Sequence, residues 1–166
     1  FDHELDQHAA ELYTNPQWPS NPLFYASAPS KTDMSISPEG CENMFLLMPT
    51  APGLAGDTEE VREKYYNIMM DRLEQFTGSS IRTRVMVKRS FAYSDFKSEY
   101  NSFKGNAYGL ANTLDQTAIL KPRIKSKKIN NLYFSGQLTT PGPGVPPTLI
   151  SGEVVSKEIV KDFKLT

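Results

Sequence analysis

The sequence predicts an α+β fold, and three features carry that reading. Short apolar runs of strand composition stand at 23–26, 44–48 and 131–135. Apolar residues recur at helical spacing over 61–76 and again over 149–163. Between them, Ile81, Thr83, Val85 and Val87 alternate with Arg82, Arg84, Met86 and Lys88, the pattern of a half-buried strand with a basic second face. At 166 residues the chain suffices for one ordinary domain and is too short for two full ones.

Taken in order, Leu5, Ala9 and Leu12 mark an amphipathic helix over 2–13, closed by Asn15-Pro16 and the prolines at 19 and 22. Residues 23–26 follow as a strand, and 29–40 as a polar loop ending in Pro38-Glu39-Gly40. The unbroken run 44–48 suits a strand covered on both faces. Asp57 and Glu60 are spaced as N-cap and N3 of the clearest helix. Its apolar stripe is Val61, Tyr65, Ile68, Met69, Leu73 and Phe76, and Gly78 stops it. Ser94 is placed to cap a short helix through Tyr100, with Gly105 as breaker.

Composition narrows the function classes. Eighteen Lys+Arg against nineteen Asp+Glu leave a formal charge of −1, so bulk electrostatics offers no case for nucleic acid. A single cysteine, Cys41, forms no internal disulfide, which fits a reducing, cytoplasmic setting. His3 and His8 lie five apart, off a common helical face, and no acidic or cysteine cluster completes a metal site. No apolar run approaches the roughly 20 residues of a spanning helix. Lys121, Arg123, Lys125, Lys127 and Lys128 put five cations in eight residues. Such a run is an exposed, charge-solubilised turn or a rest for an anionic lipid bilayer surface. The chain opens Phe1-Asp2-His3 and reads as a piece of something longer.

The chemistry is expected at 131–163. A strand runs into Gly136-Gln137-Leu138-Thr139-Thr140-Pro141-Gly142-Pro143-Gly144-Val145-Pro146-Pro147, and a helix follows. A helix start carries a partial positive charge and unpaired N–H groups. Glycines admit close approach of the main chain to a ligand, and prolines suit first helical positions. That order favours a bound anion or polarised ring; a rigid turn between strand and helix is the plain alternative. Gly152, inside the helix, suggests close packing. The Gly-x-Gly-x-x-Gly dinucleotide fingerprint does not occur.

The blocks Gly105-Asn106-Ala107-Tyr108-Gly109, Gln116-Thr117-Ala118, Pro122, Asn131-Leu132-Tyr133 and SGQLTTPGPGVPPTLISGE, with PSKTD at 29–33 and PEGCE at 38–42, resemble the C-terminal portion of carotenoid (phytoene) desaturases. These are FAD-dependent enzymes related to amine oxidases. The family often has Gly where Leu138 stands, His at Thr140, Ala at Pro143 and Gly at Pro147. The resemblance implies a mixed sheet with helices over 1–125, part of a substrate-binding domain. It implies that 126–166 is the strand, loop and helix returning to the FAD domain. Gly136, Gln137, Gly144, Val145, Pro146 and Pro147 would lie beside the flavin, while acid–base residues belong to an N-terminal part not represented here.

The implied substrate is a long carotenoid, with a quinone or oxygen reoxidising the flavin, on an enzyme held peripherally at a membrane. Phe24, Tyr25, Phe45, Tyr93, Phe96, Tyr100 and Phe103 are candidate walls of an apolar tunnel, with plain core as the alternative. Other readings are a carotenoid isomerase, a retinoid saturase, an amine oxidase, or a free-standing apolar-ligand or interaction module.

Overall fold

A computed structural model describes residues 3–111 and 113–165. The chain divides into two compact units, residues 1–105 and 106–166.

In the first unit, helix α1 (Leu5–Ala9) winds on as a π-helical segment, Ala10–Thr14. The expected helix is present, but its buried side chains are His8 and Glu11, while Leu5 is exposed. The reason is polar. The Glu11 carboxylate accepts from Ser20 N–H at 3.1 Å and from Ser20 Oγ at 2.5 Å, drawing the 15–22 turn over that face. Strands β1 (Tyr25–Ser27) and β2 (Phe45–Leu47) pair antiparallel, Tyr25 opposite Leu47 and Ser27 opposite Phe45. Ser30, buried behind them, accepts from Asn43 N–H at 2.9 Å and donates to Glu42 at 2.5 Å. The sheet has two strands, so β2 is an edge, and Phe45 is exposed where coverage on both faces was expected.

Helix α2 (Glu59–Thr77) ends at Gly78 in the left-handed region (φ 65°), as the sequence indicates. Its N-cap is Thr58, whose Oγ1 accepts from Val61 N–H, one residue later than expected. Asp57 is instead taken by a side chain: Arg62 binds it through Nε (2.7 Å) and Nη2 (2.8 Å). The buried residues of α2 are Tyr65 and Met70, whereas Phe76, placed in the stripe, is 90% exposed. Tyr65 stacks on Trp18 at 5.5 Å and donates to Pro19 carbonyl at 2.7 Å, so the helix is read by the 16–22 turn.

The strand expected over 81–88 is not formed. The Glu74 carboxylate accepts from Arg82 N–H at 2.7 Å and Asp71 pairs with the Arg82 guanidinium, which curls Arg82–Arg84 into a 3₁₀ turn. Val85, Met86 and Val87 are then exposed without a partner strand. Helix α3 (Tyr93–Tyr100) has Ala92 at its N-cap position. Asp95 accepts from Ala92 N–H at 2.8 Å, while Ser94 sits inside the first turn and donates through N–H and Oγ to Asp57. Asn101 (φ 51°) ends it. A Cβ on Gly105 would fall 2.4 Å from Tyr93 Cδ2, so the return of the chain past α3 requires glycine.

In the second unit, 3₁₀ turns Leu114–Gln116 and Ala118–Leu120 lead into the basic segment. The expected strand 131–135 reduces to one antiparallel bridge, Lys125 opposite Tyr133. Phe134 N–H to Ile124 carbonyl (2.8 Å) and Ser126 N–H to Leu132 carbonyl (3.0 Å) flank it. The mixed sheet implied by the resemblance is therefore replaced by a two-stranded sheet and this bridge, because the apolar runs that needed partners lack them among the described residues. Helix α4 (Val145–Phe163) stands where its periodicity puts it, with Ser151 and Val155 buried. Gly152 is exposed and its Cβ position is open, so it marks no close packing here. Among the described residues no helix is long and apolar enough to cross a membrane.

Candidate functional site

The glycine-proline loop is fixed to α4 by hydroxyls. Gly136 N–H donates to Ser151 Oγ (3.0 Å), and Thr139 Oγ1 donates to Gly136 carbonyl (3.0 Å). Thr139 and Ser151 hydroxyls are 2.8 Å apart, and both residues are buried, at 2% and 0% exposure. One proton arrangement satisfies all three contacts. Ser151 accepts from Gly136 and donates to Thr139, which donates to the Gly136 carbonyl. The ring is closed, with each hydroxyl used once as donor and once as acceptor. A further bond, Thr139 N–H to Gly136 carbonyl at 3.1 Å, tightens the turn.

This clamp occupies both main-chain polar groups of Gly136 and leaves its Cβ side open. Gly136 adopts φ 104° with nothing within 4 Å of a Cβ position, and Gly144 adopts φ 114°. The Thr140–Pro141 peptide is cis. Gly142 is buried, with Lys121 Cε 3.4 Å from its Cβ position. Gln137 and Pro147 are half-buried, and Gly144, Val145 and Pro146 are exposed at the start of α4. No side chain caps α4. Pro146 and Pro147 have no N–H, and Thr148 N–H bonds Gly144 carbonyl at 3.0 Å, so the first turn leaves the Val145 amide as its donor. The helix start is thus poorer in N–H groups than the sequence pattern suggests, and its field rests mainly on the dipole.

These residues fit a flat, electron-accepting ring. Gly136 and Gly144 keep Cβ atoms away from the open main chain, and the positive end of α4 faces the same loop. Gly136 and Gln137 stand at the beginning of this loop, and Gly144, Val145, Pro146 and Pro147 at its end, where α4 starts.

Beside it lies an open, largely apolar groove of about 910 Å³, lined by Ile119, Ile124, Ile150 and Val154 together with Lys121 and Arg123. Lys125 and Tyr133 both reach Asp162 of α4 at 2.5 Å. Those contacts hold the Asp162 carboxyl below its ordinary range, Lys125 first and Tyr133 second. Part of the cation row is therefore structural. Arg123, Lys127 and Lys128 are exposed, next to the exposed Ile119 and Leu120.

The candidate tunnel aromatics are spread over β1 and the residue before it (Phe24), β2, α3 and the turn that follows. Tyr25, Phe45, Tyr100 and Phe103 are exposed, so plain core does not describe them. Phe96 and Tyr100 gather instead around Phe91, which packs edge-on to Phe96 at 4.8 Å.

Comparison with known proteins gives the loop its context. Over 160 residues, 96% of its length, the chain is 43% identical to a carotenoid 3,4-desaturase of Haloarcula japonica. Nearly the whole chain is thus similar to part of a carotenoid desaturase. It is also 31% identical over 153 residues to a 4,4'-diapophytoene desaturase of Staphylococcus aureus, with 87% of this chain covered. Against a 4,4'-diapolycopen-4-al dehydrogenase of Metabacillus indicus it is 30% identical over 160 residues. The chain spans about a third of the length of these curated relatives (32%, 30% and 32%). No protein-family profile matches it.

The Thr139–Ser151 clamp escaped sequence reasoning. Its signal was a hydroxyl at 139 beside the turn glycines and a serine on the helix face that also carries Val155, one turn on. Nothing in the spacing shows that the two meet.

Proposed function

We propose that this chain is the C-terminal part of an FAD-dependent carotenoid desaturase, an oxidoreductase that introduces double bonds into a long polyene. The carrying observation is the 43% identity to a carotenoid 3,4-desaturase through the glycine-proline loop and α4. When bound, FAD supplies the acceptor for the hydride removed from the polyene. The residues of this chain bind and orient. Gly136 and Gly144 offer the ring a face without a Cβ, and Gln137 stands at the same turn. Val145 N–H and the α4 dipole favour the negative charge that grows as the ring is reduced. Pro146 and Pro147 stiffen that approach.

Residues 1–125 serve the substrate side and 126–166 the flavin side. The acid–base groups lie in the remaining two thirds of such proteins, as does the grip on the ADP half of FAD. A quinone or oxygen takes the electrons. Arg123, Lys127 and Lys128, with Ile119 and Leu120, rest on the anionic cytoplasmic face of a bilayer, where the substrate is dissolved. Identity to a polyene-aldehyde dehydrogenase supports a second reading in the same substrate class, oxidation of a terminal carotenoid aldehyde.

The test uses the full-length protein that carries this sequence, purified and mixed with carotenoids in liposomes. The expected result is bound FAD and a red-shifted polyene spectrum as conjugation lengthens. A protein without flavin, or one that leaves the spectra of both hydrocarbon and aldehyde substrates unchanged, would refute the assignment.

A further inference from the structure

We propose that His8 is an acid-sensitive latch that fastens α1 and the 15–22 turn to the first unit. This stands apart from the flavin assignment. His8 is 2% exposed, and both ring nitrogens are committed to main chain. Nδ1 accepts from Leu23 N–H at 3.0 Å, and Nε2 lies 3.0 Å from Pro49 carbonyl. An N–H at position 23 demands a bare Nδ1, so the ring is neutral with its hydrogen on Nε2, donated to Pro49. A proton added to Nδ1 would set two N–H groups against each other inside the protein, and the bond to Leu23 must break.

The charges around the ring give that proton no alternative home. On its own segment the nearest buried carboxylate, Glu11, is occupied by Ser20 N–H and Oγ. From α2, Tyr65 is bonded to Pro19 carbonyl, and the Arg72 guanidinium binds Pro22 carbonyl, a cation one residue from the latch. Residues 45–51 carry no ionisable side chain. The open segment can hold a proton on Nδ1 that the closed one cannot hold without losing the Leu23 bond, so acid favours opening.

The chain has one tryptophan, and it sits in the latched turn. Trp18 Nε1 donates to Ala55 carbonyl at 2.7 Å and its ring stacks on Tyr65. Trp18 emission and hydrogen exchange of residues 3–24, corrected for intrinsic rates, are followed from pH 7.5 to 4.5 on the whole chain. The expected result is a red shift and loss of protection in that segment while α4 stays protected. In His8→Gln, which keeps one acceptor and one donor but cannot take a proton, the shift between pH 7.5 and 4.5 should disappear. Nitrogen-15 spectra of wild-type histidine supply a readout that needs no variant. They should show the Nε2–H tautomer at pH 7.5, and imidazolium only as Trp18 shifts. A doubly protonated His8 with unshifted Trp18 emission, unchanged protection down to pH 4.5, or the same transition in His8→Gln would overturn the latch.

Discussion

Replacing Thr139 by Val removes one oxygen from the loop clamp while keeping the branched shape. In the folded chain the Thr139 hydroxyl serves Gly136 carbonyl at 3.0 Å and Ser151 at 2.8 Å, in a pocket where the two hydroxyl residues are 2% and 0% exposed. Valine fills the volume, so no cavity term arises. The Ser151 hydroxyl proton loses its acceptor and the Gly136 carbonyl keeps only the Thr139 N–H. A buried polar group left without a partner costs about 1–3 kcal/mol, and one group is stranded outright with a second weakened. The expected destabilisation is about 2 kcal/mol, against about 1 kcal/mol or less for Thr139→Ser, which loses a methyl and keeps the ring of bonds. Urea unfolding at pH 7 measures the difference, and amide exchange at Gly136 and Thr139 shows whether the loss is local. On the proposed flavin assignment, the same variant of the full-length protein should release flavin faster, since the loop no longer holds its main chain in place. A Thr139→Val protein within about 0.3 kcal/mol of wild type, with both amides still protected, would show that the hydroxyl ring is not what fixes the loop.

Other outcomes follow from single interactions. The Asp57 carboxyl is held at about 2, below its ordinary 3.8, first by the Arg62 bond and also by Ser94. A lowered folded value adds stability above pH 3.8 that is lost as pH falls toward 2; Asp57→Asn should therefore cost about 2 kcal/mol at pH 7 and little at pH 2, read by urea melts at both. Gly144→Val should lower flavin retention in the full-length protein. The obstacle is backbone strain at φ 114° of about 1–3 kcal/mol, since a Cβ would meet Pro147 Cδ at a tolerable 3.4 Å; normal flavin content would remove Gly144 from the site. Converting Arg123, Lys127 and Lys128 to Gln should weaken binding to vesicles of one part anionic to two parts neutral lipid by about 5-fold per charge, with no change on neutral vesicles.

Helices α2 and α4 were legible because each has four turns or more of apolar spacing and a stop or start that local chemistry dictates, Gly78 for one and the prolines after Gly144 for the other. The loop's glycines were legible for the same reason, since positive φ is a local demand. Strands fared worse. Residues 44–48 and 131–135 have strand composition, yet a strand exists only through a partner, and here each finds three residues or one. The alternation over 81–88 lost to a carboxylate eight residues back.

Residue chemistry by itself determined where the long helices run and where the main chain must bend as only glycine permits; the likeness to carotenoid desaturases rests on matching blocks of sequence. Tertiary structure alone decided which polar groups are buried. His8, Glu11, Ser151 and Thr139 are ordinary surface types in a linear reading, and each lies inside because a partner distant in sequence satisfies it. Burial of a polar atom depends on that partner's position in space, which no periodicity encodes.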